Sequence, residues 1–128
     1  MPLLKIYQGR RLKQALAEIV MPVRVTYAAL DQPEPDTLAA LAELKALTPH
    51  LSVSIIQQPT EPADLVIVRG DHGSELVFLG PPLGTELAAL VSAIIVAGRG
   101  TSGLAGPTRQ ALNQIQSPVH LEIFTTPT

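Results

Sequence analysis

The sequence of 128 residues contains no cysteine. This absence excludes disulfide bonds, thiolate nucleophiles and cysteine-ligated metal ions together. Aromatic residues are also scarce, at 3% against an apolar fraction of 46%, so the core must be built from aliphatic side chains. We therefore expect a chain that has no thiol chemistry of its own and that is long enough to bury a core without further support.

The chain also lacks a strong charge of one sign and a long hydrophobic run. The net charge of −2 creates no field that favours nucleic acid or anionic lipid. The longest apolar run, Leu87 to Ala97, is interrupted by Ser92 and falls short of the roughly 20 residues that span a bilayer. No signal-type apolar stretch follows the basic N-terminus. We expect a cytoplasmic domain that binds neither nucleic acid nor membrane.

Hydrophobic periodicity predicts an alternation of helices and strands. The predicted segments, in chain order, are a helix at 3–20, a strand at 23–27, a helix at 36–48, strands at 51–55, 65–68 and 75–79, a helix at 85–98, a helix at 107–117 and a strand at 119–124. The strand–helix–strand unit predicts a parallel pair with a right-handed crossover, and the turn at 70–73 predicts an antiparallel hairpin. The order α-βαβ-ββα predicts an α/β protein with a four-stranded mixed sheet in the thioredoxin-like arrangement, followed by a C-terminal helix and strand.

The stretch Leu76 to Gly98 organises the prediction. It predicts a buried strand, a corner at Gly80–Gly84, and an apolar helix that Gly84 or Thr85 caps. Glu86 places a carboxylate in the first helical turn, where the helix dipole stabilises it by roughly 0.3–1 kcal/mol. In the same way, Asp36 or Thr37 is the expected cap of the helix at 36–48.

Several short motifs resemble a family of double thioredoxin-fold proteins. The run Phe78-Leu79-Gly80-Pro81-Pro82-Leu83-Gly84-Thr85-Glu86-Leu87 resembles the F-x-G-x-P-x-G-H-E-F run of the glutaredoxin-like protein disulfide oxidoreductases and of the N-terminal domain of the alkyl hydroperoxide reductase flavoprotein subunit. Met21-Pro22-Val23 is similar to the opening of that family's first strand. The segments 107–112 and 122–128 are similar to its inter-module helix and its second-module strand.

The resemblance implies two parts. Residues 1–98 would be the first, cysteine-less thioredoxin-like module, in which Ala28-Ala29-Leu30-Asp31-Gln32 stand where a thioredoxin would place its thiol pair. Residues 99–128 would be a linker, helix and strand leading toward a second module that carries the Cys-x-x-Cys pair. The chain would then be truncated before that pair, and would be a redox-inactive scaffold, not an enzyme on its own. The longer protein would be a disulfide oxidoreductase or a peroxide-reductase component. FAD and NAD(P)H are implied as its cofactors, and a peroxiredoxin or another thiol protein as its partner.

The resemblance also points to three residues that would support the thiol site of the second module. Pro62 is at the position of the cis-proline that thioredoxin folds place before their third strand, which implies a cis Glu61–Pro62 bond. Thr85 replaces the histidine of the family motif. Glu86 is retained, and a carboxylate beside a thiol would raise the thiol pKa and could relay a proton. The same Glu86 could equally act only on its own helix terminus.

Two other functions stay open. The chain could be a stand-alone degenerate thioredoxin-like module that binds proteins, or a small nucleotide-binding α/β protein. The second possibility depends on Gly98-Arg99-Gly100-Thr101-Ser102-Gly103, which satisfies G-x-G-x-x-G. That mechanism needs a strand before the first glycine, whereas the preceding residues have helical spacing, so a linker is the preferred interpretation. His50, His72 and His120 have no metal-ligand spacing.

The predicted strand at 119–124 has no partner within the first module. An unpaired strand edge is open to pairing with another chain. We therefore expect this segment to pair with a second copy or to add to its own sheet, and a homodimer is the expected assembly.

Overall fold

The computed structural model of the chain describes residues 10–57, 62–84 and 86–124. The helices and strands of this part are, in chain order, α1 (Arg10–Leu16), β1 (Val23–Ala29), α2 (Pro35–Leu47), β2 (Leu51–Gln57), β3 (Leu65–Gly70), β4 (Glu75–Leu79), α3 (Glu86–Arg99) and α4 (Gly106–Leu112). The α-βαβ-ββα order predicted from periodicity is confirmed. Residues 3–9 of the helix predicted at 3–20 lie outside the described residues. Glu61 does too, so the predicted cis bond between Glu61 and Pro62 stays a prediction.

The four strands form one mixed sheet in the order β2-β1-β3-β4. β1 and β2 are parallel, as the strand–helix–strand unit predicts, while β3 is antiparallel to both β1 and β4. The hairpin between β3 and β4 closes through a hydrogen bond from the Gly70 amide to the Ser74 carbonyl, 3.2 Å, and Gly73 adopts a φ of 82°. A positive φ is cheap only for glycine, which explains the turn sequence.

One face of the sheet carries the core. Val23, Val25 and Tyr27 point to this face and are 0%, 1% and 0% exposed. Their neighbours in register on β3 are Gly70, Val68 and Val66, respectively. Against these strands pack apolar side chains from the first three helices: Leu12, Leu16, Leu41, Leu44, Leu87, Leu90, Val91 and Ile94. The core is aliphatic apart from Tyr27, as the composition requires.

The opposite face, which we call the open face, is covered far less. The register places three rows of side chains across it: Ser52, Arg24, Arg69 and Glu75; Ser54, Thr26, Ile67 and Val77; and Ile56, Ala28, Leu65 and Leu79. Ala28 and Leu65 are buried, but Val77 and Leu79 are 44% and 67% exposed. β2 ends at Gln57 and β3 begins at Leu65, so the connection between these two strands is only seven residues long.

Two predicted strands need correction. β4 forms where expected, but it is an exposed edge strand and not a buried one, since only Phe78 is half-buried. The segment Val119–Phe124 is not a strand in the structure, and its apolar side chains are 62–89% exposed. A strand needs a neighbour to satisfy its backbone groups, and within the described residues this segment has none.

Four helix boundaries also differ from prediction. α1 ends at Leu16 and not at residue 20. α2 begins at Pro35, so its N-cap is Glu34, which makes no side-chain capping bond, and neither Asp36 nor Thr37 is the cap. α3 extends to Arg99, one residue past the expected domain boundary at 98. α4 ends at Leu112 and buries no residue, so Ile115, expected inside it, lies beyond its end. No helix in the described part of the chain is both long and apolar enough to cross a membrane.

Candidate functional site

The candidate site lies at the edge of the sheet where β1 and β2 end and β3 begins. Parallel strands end at the same edge, and Ala28 of β1 is the register partner of Leu65, the first residue of β3. The segment expected in place of a thiol pair, Ala28 to Gln32, is therefore next to Asp64. In this way the topology joins two stretches of chain that are far apart in sequence.

A hydrogen-bonded bridge occupies this edge. The Tyr27 hydroxyl donates to Asp64 Oδ2 over 2.7 Å, and the Leu30 amide donates to Asp64 Oδ1 over 3.0 Å. The Glu34 amide donates to the Tyr27 oxygen over 2.9 Å. Both carboxylate oxygens of Asp64 and both hydrogen-bonding functions of the Tyr27 hydroxyl are thus engaged. The bridge fixes the loop between β1 and α2 to the start of β3.

The environment of Tyr27 keeps its hydroxyl protonated. Burial raises the pKa of this phenol above its ordinary value of 10.0, and the hydrogen bond to Asp64 and the charges of Asp64 and Glu34 raise it further. The hydrogen bond from the Glu34 amide acts in the opposite direction. Tyr27 therefore remains a hydrogen-bond donor at neutral pH and has no free proton-transfer function there.

Asp64 also connects this edge to the corner after β4. The Gly80 amide donates to the Asp64 backbone carbonyl over 2.6 Å. Gly80 and Gly84 adopt φ values of 86° and 63°, which turn the chain away from β4 and into α3. The Gly-Pro-Pro-Leu-Gly corner predicted from the sequence thus exists, and it brings the start of α3 to the edge that carries the bridge.

The three residues proposed from the resemblance have different outcomes. Glu86 is the first residue of α3 and is half-buried, and its amide bonds to the Leu83 carbonyl over 3.2 Å. Pro62 is exposed in the bend before β3. Thr85 lies outside the described residues, and with it the prediction that this residue caps α3. The roles of Glu86, Pro62 and Thr85 toward a thiol remain predictions.

A shallow groove lies beside the bridge. It has a volume of about 290 Å³ and is lined by Asp31, Gln32, Pro33, Ile55, Ile56 and Gln57. Ile55 and Ile56 are 43% and 42% exposed, so the end of β2 presents apolar surface on both faces. This groove could not be found from the sequence pattern, because alternation indicates that one residue of each pair is buried and carries no sign that β2 is an edge strand.

The glycine-rich motif does not form a phosphate-binding loop. Gly98 and Arg99 belong to α3, so a helix and not a strand precedes the turn. A Cβ at Gly98 would lie 2.5 Å from Ile19 Cγ2, and the Gly98 carbonyl accepts hydrogen bonds from the Val20 and Met21 amides. Gly98 is therefore required for close packing of α3 against the start of β1. Among the described residues, no group of three His, Cys, Asp or Glu side chains could hold a metal ion.

Comparison with known proteins places this geometry in a structural class. No family model and no curated protein sequence matches the chain. Among the solved structures that match is the alkylhydroperoxide reductase component AhpF of Enterococcus faecalis, with a TM-score of 0.68 and 19% identity over 84% of this chain and 58% of that chain. Another is a protein disulfide oxidoreductase from Aeropyrum pernix, with a TM-score of 0.65 and 25% identity over 82% of this chain and 52% of that chain. The fold is thioredoxin-like.

The two structural neighbours confirm the fold expected from the sequence. The expected α/β class and its mixed four-stranded sheet are confirmed, and both neighbours are proteins of thiol or peroxide chemistry by name. The present chain spans 52–58% of the length of these two proteins. At the edge where the sequence resemblance implies the position of a thiol pair, this chain has the Tyr27–Asp64 bridge and no cysteine.

Proposed function

We propose that the chain is a redox-inactive, thioredoxin-like scaffold module of a thiol–disulfide oxidoreductase or of a hydroperoxide-reductase-type electron-relay protein. The observation that carries this proposal is the bridge at the position of the thiol pair. Thiol–disulfide exchange requires a thiolate, and none of the 128 residues is a cysteine. The catalytic thiols must therefore belong to another module of the longer protein.

The bridge suits a scaffold and not a catalyst. A thiol site has to leave its reacting atoms accessible. Tyr27, in contrast, is 0% exposed, and its hydroxyl is hydrogen-bonded to Asp64 and to the Glu34 amide. Buried polar groups that are fully satisfied rigidify their surroundings. The bridge thus stabilises the loop at 30–34 as a fixed surface, against which a second thioredoxin-like module can pack.

Glu86 is the residue that we assign to the thiol site of that second module. Glu86 is the first residue of α3. The hydrogen bond from the Gly80 amide to the Asp64 carbonyl holds the corner before α3 at the same edge as Asp64. A carboxylate near a thiol disfavours the thiolate and raises the thiol pKa. Pro62 and Thr85 are the other two residues that the sequence resemblance assigns to this thiol site.

The cofactors of the longer protein lie outside this module in our proposal. The groove beside the bridge, at about 290 Å³, is shallow and at the lower limit of ligand pockets. We therefore assign FAD and NAD(P)H, which the sequence resemblance implies, to other parts of the longer protein, together with the contact to a peroxiredoxin or another thiol protein.

A charge-removing variant of the full-length gene product tests this proposal. Glu86→Gln should lower the pKa of the catalytic thiol by about a few tenths of a unit to one unit, because a like charge is removed. The thiolate absorbance as a function of pH measures this pKa. Asp71→Asn in the hairpin turn, at the opposite end of β3, is the matched control and should leave the thiol pKa unchanged. If the pKa of the catalytic thiol is equal in the wild-type and Glu86→Gln proteins, the assignment of Glu86 to the thiol site is wrong.

A second candidate function is a stand-alone module that binds proteins. The apolar surface of Ile55 and Ile56 in the groove favours it, because exposed apolar surface beside polar residues is typical of interaction sites. If this function is correct, Ile56→Lys should abolish capture of a protein partner. Ser52→Lys, on the same strand but outside the groove, is the control and should leave capture unchanged. If the groove has no role in binding, the two variants should behave alike.

A further inference from the structure

Two unpartnered apolar surfaces occur in this chain. The first is the C-terminal segment Val119–Phe124, which we call the tail. Its apolar side chains are among the most exposed in the described residues: Val119 62%, Leu121 81%, Ile123 84% and Phe124 89%. Apolar and polar residues alternate in it, with His120 and Glu122 between the apolar ones, and this is the pattern of a strand with one buried face.

The second surface is the outer edge of β4. Leu76, Val77 and Leu79 are 49%, 44% and 67% exposed, and β4 has a strand neighbour on one side only. Natural edge strands are usually protected by lysine, proline or a bulge. The charge that β4 carries is Glu75, and Arg69 on β3 neutralises it through an ion pair of 2.8 Å. This edge is therefore open to a further strand.

The two surfaces match in length and in pattern. Six extended residues of the tail cover about 20 Å, which slightly exceeds the length of the five-residue β4. We propose that the tail of one copy pairs with β4 of a second copy, and that the exchange is reciprocal, as in a twofold dimer. Val119, Leu121 and Ile123 then lie on the open face beside Val77 and Leu79, and the backbone groups of both strands become satisfied.

The area that such an exchange buries is sufficient for an interface. In each copy, four side chains of the tail and three of β4 become buried. Each of them buries roughly 60–100 Å² of apolar surface. The reciprocal exchange then buries on the order of 1,000 Å², at the lower limit of specific protein–protein interfaces. We therefore expect a dimer that dissociates on dilution and not a permanent one.

A second copy is the occupant that we favour over the chain's own sheet. Residues 107–124 are exposed throughout and make no contribution to the core in the structure. The tail already stands clear of its own domain, so exchange with a second copy requires no rearrangement of the packed sheet or helices. This inference concerns the assembly of the 128-residue chain. In the longer protein of the proposed function, residues 122–128 would instead contribute to the strand of the second module, so the two proposals are tested separately.

The molecular mass in solution gives the first test. At high micromolar concentration the 128-residue chain should show twice 13.6 kDa by light scattering. A chain cut after Ser117 and the variant Leu121→Lys should both remain at the mass of one copy. Leu121 is 81% exposed, so its substitution leaves the fold intact, which circular dichroism verifies. His120→Lys, next to it on the other side of the tail, should still dimerise. A single-copy mass for the unaltered chain at this concentration overturns the proposal.

The absence of cysteine allows a second test without background reactions. A tagged Val77→Cys chain is mixed with an untagged Leu121→Cys chain under oxidising conditions. Adjacent strands bring facing residues within disulfide reach, so a covalent pair of tagged and untagged chains should form. Ser54→Cys, on β2 at the opposite edge of the sheet, replaces Val77→Cys in the control and should give no such pair. If only a single chain that carries both Val77→Cys and Leu121→Cys becomes crosslinked, the tail adds to its own sheet and the dimer model is wrong.

Discussion

Tyr27 and Asp64 are 37 residues apart in sequence, and their side chains meet over 2.7 Å. Tyr27 is near the end of β1, and Asp64 directly precedes β3. Their hydrogen bond connects the loop after β1 to the start of the central antiparallel strand. The bridge is thus the contact that organises this edge of the sheet.

Removal of the Tyr27 hydroxyl should destabilise the domain. Tyr27→Phe leaves Asp64 Oδ2 and the Glu34 amide without their partner, which costs about 1–3 kcal/mol of the free energy of unfolding. Urea unfolding measures this cost. Thr37→Val is the matched control, because the buried Thr37 hydroxyl has no hydrogen-bond partner among the described residues. Its removal should leave stability equal or slightly higher. Equal losses in both variants would contradict the assigned role of the bridge.

The stability of the domain should fall at high pH. The folded state raises the pKa of Tyr27 above 10.0, so its contribution is fully present below pH 10 and decreases as the pH rises through the folded pKa. The unfolded chain releases this proton first, which favours unfolding. The free energy of unfolding measured from pH 8 to pH 11 should decline above about pH 10, and Tyr27→Phe should abolish that part of the decline.

Asp64→Asn should lower the pKa of Tyr27. The substitution removes a negative charge and the acceptor of the phenolic proton, both of which raise this pKa. Spectroscopic titration reports it without interference in a Tyr7→Phe background, because the chain contains two tyrosines. An unchanged pKa would mean that burial alone determines the titration of Tyr27.

Gly98 should not tolerate a side chain. In Gly98→Ala the new Cβ would lie 2.5 Å from Ile19 Cγ2 and 2.9 Å from Val23 Cγ2, and overpacking of this kind costs about 1–3 kcal/mol. Gly106→Ala is the control, since no described residue outside its chain neighbours and its own helix backbone lies within 4 Å of the added Cβ. Chemical denaturation should separate the two variants clearly, and equal stabilities would show that α3 can shift away from the start of β1.

Nucleotide binding through the glycine-rich segment should be absent. Gly98 and Arg99 are helical, so the segment lacks the strand that directs a phosphate to the next helix. A dinucleotide that bound the folded state would raise the melting temperature. We expect no change at millimolar dinucleotide, and a concentration-dependent rise would restore the nucleotide hypothesis.

Local patterns were sufficient to predict the order of the elements. Alternation at Val23, Val25 and Tyr27 and helical spacing at Leu41 and Leu44 each reflect burial against a single core, and burial is what these periods measure. The parallel pair and the hairpin followed from connection length and turn residues. These parts of the fold depend on neighbours that are close in sequence.

The errors concern features that depend on distant neighbours. The apolar run of β4 has the composition of a buried strand, but its exposure depends on the absence of a strand beyond it among the described residues. The tail has the alternation of a strand, yet a strand forms only beside a partner. The Tyr27–Asp64 bridge could not be predicted either, because Asp64 precedes β3 as an ordinary loop residue. A tyrosine at a core position was the one available signal that a polar partner had to be near.

The central claim, that this chain is a scaffold for thiols on another module, is tested most directly by the reading frame beyond Thr128. Our account predicts that the frame continues into a Cys-x-x-Cys pair and a second thioredoxin-like unit. A stop codon immediately after Thr128 would contradict the redox assignment. The chain would then be a stand-alone binding module.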